Sequence, residues 1–108
     1  MGERTENVVA YDLGKMLKEL EHIIRERKDA SPDESYTARL LQGPYDSLLK
    51  KVVEEAAELT LAVKDEDREH IRYEAADLLY HMMVVMQRAG IGADELGGEL
   101  KARMTGKK

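Results

Sequence analysis

Apolar residues recur along most of the chain at the three- and four-residue spacing of an amphipathic helix, and its only two prolines, Pro32 and Pro44, are the hard breaks. Leu13, Met16, Leu17, Leu20, Ile23 and Ile24 share one helical face, which predicts a first helix over residues 13–24 with Asp12 as its N-cap. A charged stretch then ends in SPDES, a loop whose Ser35 can cap a short apolar turn reaching Leu41, before Gly43 and Pro44 interrupt the chain. Leu48, Leu49, Val52, Val53, Ala56, Leu59 and Val63 mark the buried side of a second long helix, predicted over 46–64 with Asp46 as cap. The turn KDEDRE leads into a third long helix over 67–89. It closes with Arg88, which suits the negative end of the helix dipole, and Gly90, which can take the left-handed cap conformation. A shorter helix over 93–104 is weakened by Gly97 and Gly98, each costing about 1 kcal/mol of helix propensity.

The third helix carries more apolar surface than one hairpin partner can cover. Ile71, Ala75, Ala76, Leu78, Leu79, Met82, Met83, Val85 and Met86 occupy about half its circumference. Pairing of two chains is the simplest way to bury it. The expected fold class is therefore all-α, a helical hairpin completed by homodimerisation into a four-helix-bundle-like core. Residues 1–108 are expected to form a single domain, with 1–11 and 105–108 as flexible ends.

Acidic residues concentrate on this hairpin. In KVVEEAAEL, Glu58 and Glu55 lie about 40° and 100° round from Glu54, so the three share one flank. In YEAADLLYH, Glu74 and Asp77 are three apart and share a flank of the next helix. If the hairpin turns near residue 66, positions equidistant from it share a level: Glu58 faces Glu74, Glu55 faces Asp77 and Lys51 faces His81. Carboxylates brought to about 4 Å repel by about 4 kcal/mol per pair near a protein surface, a cost that a divalent cation removes. Mg2+ is the expected ion, with Mn2+ able to substitute, because both prefer carboxylate and water oxygens and leave positions open for phosphate and an attacking water. The candidate metal ligands are Glu54, Glu55, Glu58, Glu74 and Asp77. Glu54, Glu55 and Glu58 are also the candidate catalytic carboxylates, since any one not saturated by metal can serve as base. The competing interpretation is a plain solvated acidic face. Di-iron carboxylate bundles carry Glu-x-x-His on facing helices, whereas this hairpin offers Asp77 and His81 four apart.

Lys51 shares the carboxylate flank and can either neutralise a substrate phosphate or pair with Glu55. His81 can hold phosphate or serve as a hydrogen-bonded structural histidine. Lys50, Arg39 and Arg72 are individually uninformative. Tyr36, Tyr73 and Tyr80 either stack on a base or cap the core, and Met82, Met83 and Met86 fit packing.

Composition narrows the function further. A net charge of −5, with 36% of residues charged, disfavours a binder of nucleic-acid backbones. Zero cysteines exclude disulfides, thiolate chemistry and Cys-based zinc or iron–sulfur sites. No apolar run is long enough to span a bilayer, and MGERTEN does not resemble a signal peptide, so a soluble cytoplasmic protein without membrane or nucleic-acid partners is expected.

The blocks DLGKMLKELEHIIRERK, SPDESYTARLL, LLKKVVEEAAEL, YEAADLLYHMMVV and ADELGGELKAR, in this order, resemble the phosphoribosyl-ATP pyrophosphatase family of histidine biosynthesis, over nearly the whole chain. The EExxE and ExxD motifs alone would indicate only the wider all-helical nucleotide pyrophosphohydrolase group. The resemblance implies magnesium-dependent hydrolysis of 1-(5-phosphoribosyl)-ATP between its α and β phosphates, giving 1-(5-phosphoribosyl)-AMP and pyrophosphate. It implies that Glu54, Glu55, Glu58, Glu74 and Asp77 hold the metal. It adds Ser35, Tyr36 and Thr37, with neighbouring Arg39, together with Lys50, Lys51 and His81, as the substrate-binding set. Val53 replaces the family's usual glycine and is expected to narrow the approach to the metal face. A phosphoribosyl-AMP cyclohydrolase domain, present in fused relatives, has no room here, so a separate protein is expected to supply that step. The alternatives are a house-cleaning nucleoside triphosphate pyrophosphohydrolase of the same fold and a noncatalytic helical dimerisation module.

Overall fold

The structure, a computed structural model, describes residues 4–106, and the regular secondary structure there is helical. Five α-helices follow in order: α1 (Leu13–Glu26), α2 (Tyr36–Gln42), α3 (Tyr45–Lys64), α4 (Arg68–Ala89) and α5 (Ala93–Thr105). A single 3-10 turn, Arg27–Asp29, follows α1. The expectation of four main helices is corrected to five, because the short apolar turn after Ser35 closes into a complete helix. Of the ends expected to be flexible, residues 1–3, 107 and 108 lie outside the described part.

Local capping sets most boundaries. The Asp12 side chain accepts from Lys15 N–H at 3.0 Å, Ser35 Oγ from Ala38 N–H at 3.1 Å, and Asp67 from His70 N–H at 3.2 Å. Gly90, at φ 76°, ends α4 in the left-handed region. Asp46 is the exception. Pro44 holds extended backbone and becomes the N-cap of α3, so the helix starts at Tyr45, and Asp46 lies in its first turn, where its charge suits the helix dipole. α5 forms through both of its mid-helix glycines.

α3 and α4 form the antiparallel hairpin, and α1 and α2 pack against α4. The core contains Ile24, Leu48, Met83 and Val84, with Leu17, Leu20, Leu40, Leu41 and Tyr80 around it. Arg88 of α4 secures α2: it donates to the carbonyls of Leu40 and Gly43, both at 2.9 Å, and covers the Tyr45 ring at 4.3 Å. Gly43 is required there, since a Cβ would lie 2.8 Å from the Arg39 carbonyl oxygen. Glu21 accepts from the first N–H of α5, at Ala93, and ties that helix to α1. The N-terminal segment reaches back over α4, where Arg4 pairs with Asp67 and, at 3.7 Å, with Glu69.

Among the described residues only six apolar side chains are buried. The accessible surface is 7991 Å², about a third above that of a compact monomer of 12.2 kDa. The radius of gyration, 15.1 Å, likewise exceeds the roughly 13 Å expected for this length. Leu49, Val53 and Val63 lie open along one stripe of α3. No described helix is long and apolar enough to cross a membrane.

Candidate active site

The short turn after α3 sets the hairpin register, and that register brings carboxylates from both helices together. Glu55, Glu58 and Glu74 each place an oxygen within 4.8 Å of the others, and Glu55, Asp77 and His81 do the same, so Glu55 joins the two groups. Glu55 is 3% exposed, Glu74 5% and His81 2%, whereas Glu58 faces solvent. Glu54 is exposed and stands outside both groups.

Two oxygens define the chemistry. Glu55 Oε2 and Glu74 Oε1 are buried with no hydrogen-bond partner. A buried acceptor left this way costs about 1 to 3 kcal/mol, more if charged. Glu55 meets that cost by holding its proton: Asp77, close enough to share it, together with burial and the Asp77 and Glu58 charges, pushes its carboxyl up to about 8 against the relief from Lys51. A divalent cation is the other solution, and an all-oxygen donor set whose two unpartnered oxygens lie on the buried Glu55 and Glu74 fits Mg2+ or Mn2+.

Lys51 Nζ lies 3.7 Å from Glu55 Oε1. Burial pulls its ammonium down, but Tyr36, Glu55, Glu54 and Asp77 outweigh that and hold it above its ordinary value. The Tyr36 hydroxyl, itself raised mainly by burial, is 2.9 Å from His81 Nε2. His81 Nδ1 is 2.8 Å from the Asp77 backbone carbonyl. An Nδ1–H donating to that carbonyl leaves Nε2 to accept from Tyr36, so both ring nitrogens are engaged within the protein. Tyr36 also stacks with Tyr80, centroids 6.3 Å apart, and the Tyr80 hydroxyl meets Thr37 Oγ1 at 2.5 Å. These bonds fasten α2 to α4 beside the carboxylates.

The other expected substrate groups are more scattered. Ser35 is buried as the α2 cap. Arg39 donates to the Pro32 carbonyl and lies over the Tyr36 ring at 5.4 Å. Lys50 is exposed, and Val53, 69% exposed, projects with Leu49. A cavity of about 350 Å³ lined by Arg72, Tyr73, Ala76, Asp77 and Tyr80, with Thr5 and Val8 over it, adjoins the site through Asp77. His70 was not singled out in the sequence, yet its Nε2 is 3.0 Å from Glu74 Oε2. Its position four residues before an acidic site residue on one helix is the signal that would have identified it.

The family description "Phosphoribosyl-ATP pyrophosphohydrolase" matches residues 17–104, a span containing every one of these site groups except the N-terminal cover. The chain belongs to the phosphoribosyl-ATP pyrophosphohydrolase family. It is similar to the phosphoribosyl-ATP pyrophosphatase of Rhizobium rhizogenes, 47% identical over 90 residues that cover 83% of this chain and 86% of that protein. The phosphoribosyl-ATP pyrophosphatase of Neisseria gonorrhoeae is 42% identical over 88 residues, 82% of each chain. The histidine biosynthesis bifunctional protein of Bacillus subtilis is 41% identical over 101 residues, 94% of this chain but 48% of its own length. Membership in this family supports hydrolase activity for the chain.

Proposed function

We propose that this protein hydrolyses 1-(5-phosphoribosyl)-ATP to 1-(5-phosphoribosyl)-AMP and pyrophosphate. Water adds to the α or the β phosphorus, the bond from that phosphorus to the oxygen bridging the two breaks, and one proton of the water is released. The observation that carries this reading is the pair of buried, unpartnered oxygens on Glu55 and Glu74, within a hairpin of this family. Glu55, Glu58, Glu74 and Asp77 would hold Mg2+, with Glu54 at the exposed edge of the same flank. When bound, the ion supplies charge to polarise a phosphoryl oxygen and acidify the attacking water.

The protein's own groups prepare the rest. Glu55 would release its retained proton in order to ligate a cation, so its raised value belongs to the metal-free protein. Lys51 presents a fixed positive charge next to it for a substrate phosphate. Tyr36 and His81 hold α2, and with it the Ser35 to Arg39 block, against the site.

The exposed apolar stripe on α3 and the excess surface support a homodimer in which two hairpins form the bundle. A phosphoribosyl-AMP cyclohydrolase activity would act next, a reading in keeping with the bifunctional histidine-biosynthesis relative.

The test is a side-by-side assay of pyrophosphate release from phosphoribosyl-ATP and from a panel of nucleoside triphosphates, with magnesium and with chelator. Turnover restricted to phosphoribosyl-ATP and abolished by chelation is expected. Faster turnover of free triphosphates would move the protein to the house-cleaning class, and full turnover after exhaustive chelation would remove the metal mechanism.

A further inference from the structure

His70 occupies the first turn of α4, held there from two sides. Its backbone N–H donates to Asp67, the N-cap, and Arg4 pairs with the same Asp67. Its imidazole is largely buried and reaches one turn along the helix, placing Nε2 3.0 Å from Glu74 Oε2. The two oxygens of Glu74 are therefore unequal: Oε2 has a donor, and Oε1 is buried without one.

A glutamate's terminal torsion is broad and two-fold, so an unrestrained carboxylate can present either oxygen in many orientations. A donor fixed on one oxygen removes that freedom and sets where the other oxygen lies. We propose that His70 is a positioning residue: by donating from Nε2 to Glu74 Oε2 it fixes the orientation of the carboxylate that converges with Glu55 and Glu58, and leaves Oε1 unpartnered for a divalent cation. This rests on the carboxylate group being the metal site proposed above. His70 acts from outside that group, since the atoms that converge within 4.8 Å include Glu74 but no nitrogen of His70. Its partner on the ligand is an oxygen rather than a metal, the usual arrangement by which an outer residue orients a ligating side chain.

The probe is Mn2+ alone, titrated into the full chain and followed by the EPR signal of the free ion, for the parent, His70→Leu and His70→Gln. Leucine fills the volume but cannot donate, whereas the glutamine amide can donate from nearly the same place. His70→Leu is expected to bind Mn2+ about 10- to 100-fold more weakly, and His70→Gln to recover to within about threefold of the parent. In activity assays the magnesium concentration for half-maximal rate should rise in His70→Leu, while KM for substrate at saturating magnesium stays near the parent value. Each variant is measured below its own melting temperature, and the glutamine variant serves if leucine prevents folding. Parent-like Mn2+ affinity in His70→Leu, or a glutamine variant as weak as leucine, overturns the positioning role and leaves the metal site standing. A parent that binds no Mn2+ overturns the metal reading itself and this inference with it.

Discussion

Glu55 of α3 and Asp77 of α4 face each other across the hairpin with carboxylate oxygens within 4.8 Å, and neither helix supplies a cation that fully balances them. Lys51, at 3.7 Å from Glu55, relieves the repulsion only in part. The proton held by Glu55 is the direct consequence.

That proton makes the stability of the metal-free protein depend on pH in an unusual direction. Glu55 holds its proton up to about pH 8 when folded, against an ordinary value of 4.5. Between those values the folded chain binds more protons than the unfolded one, so this group's contribution is favourable at the lower end and is lost as pH rises through 8. Asp77 and Glu58 add like charge from both helices, Lys51 opposes them, and Glu74, His81 and Tyr36 are the other titratable groups facing it. With chelator present, the melting temperature should fall between pH 5.5 and 8.5, by about 4 to 8 °C per kcal/mol for a domain of this size. Adding magnesium should restore more stability at pH 8.5 than at pH 5.5. A flat or rising metal-free profile would contradict the proton assignment.

Replacing Glu58 or Glu74 by Gln keeps volume and most hydrogen-bonding capacity while removing charge. Without metal, each variant should melt at or above the parent temperature, because a repelling charge is gone. Pyrophosphate release at saturating magnesium should drop by at least about 10²-fold, since nucleophile generation and transition-state charge stabilisation are lost together. Early melting combined with near-normal rates in both variants would assign the cluster to the scaffold.

Lys51→Ala tests the cation beside the site. Its half-exposed pair with Glu55 is worth no more than about 1 kcal/mol to folding. A charge-assisted bond to a substrate phosphate is worth more, so kcat/KM should fall about ten- to a hundredfold with little change in melting temperature. Lost stability with unchanged kinetics would mean that Lys51 serves only its ion pair.

Val53→Glu tests the proposed dimer. Val53 is 69% exposed within one chain, so a charge there should change the stability of an isolated protomer by no more than about 0.5 kcal/mol. Buried against a second hairpin, the same charge would lack a partner. Sedimentation should show the parent at twice 12.2 kDa and the variant at the single mass. A parent sedimenting only as a single chain at micromolar concentration would rule the dimer out.

The helix ends at Asp12, Ser35, Asp67 and Gly90 were legible because a cap involves only a few successive residues and their own backbone. Asp46 misled because Pro44, two residues earlier, already provides the extended backbone at which α3 starts. The meeting of Glu55 with Asp77, and of Glu58 with Glu74, was also legible, since a short turn between two long helices leaves little freedom of register. Other features depend on how α2 and α4 dock, which no periodicity encodes. Glu54 points to solvent while its neighbour Glu55 is buried, because the packing of the hairpin chooses which part of a shared flank turns inward. His81 finds its partner in Tyr36, 45 positions away, through a contact that exists only once α2 has docked on α4, where Arg88 also holds the end of α2. The unpartnered state of Glu55 Oε2 and Glu74 Oε1 belongs to the same class: whether a buried oxygen has a donor depends on every group packed around it, and residues distant in the chain supply most of those groups.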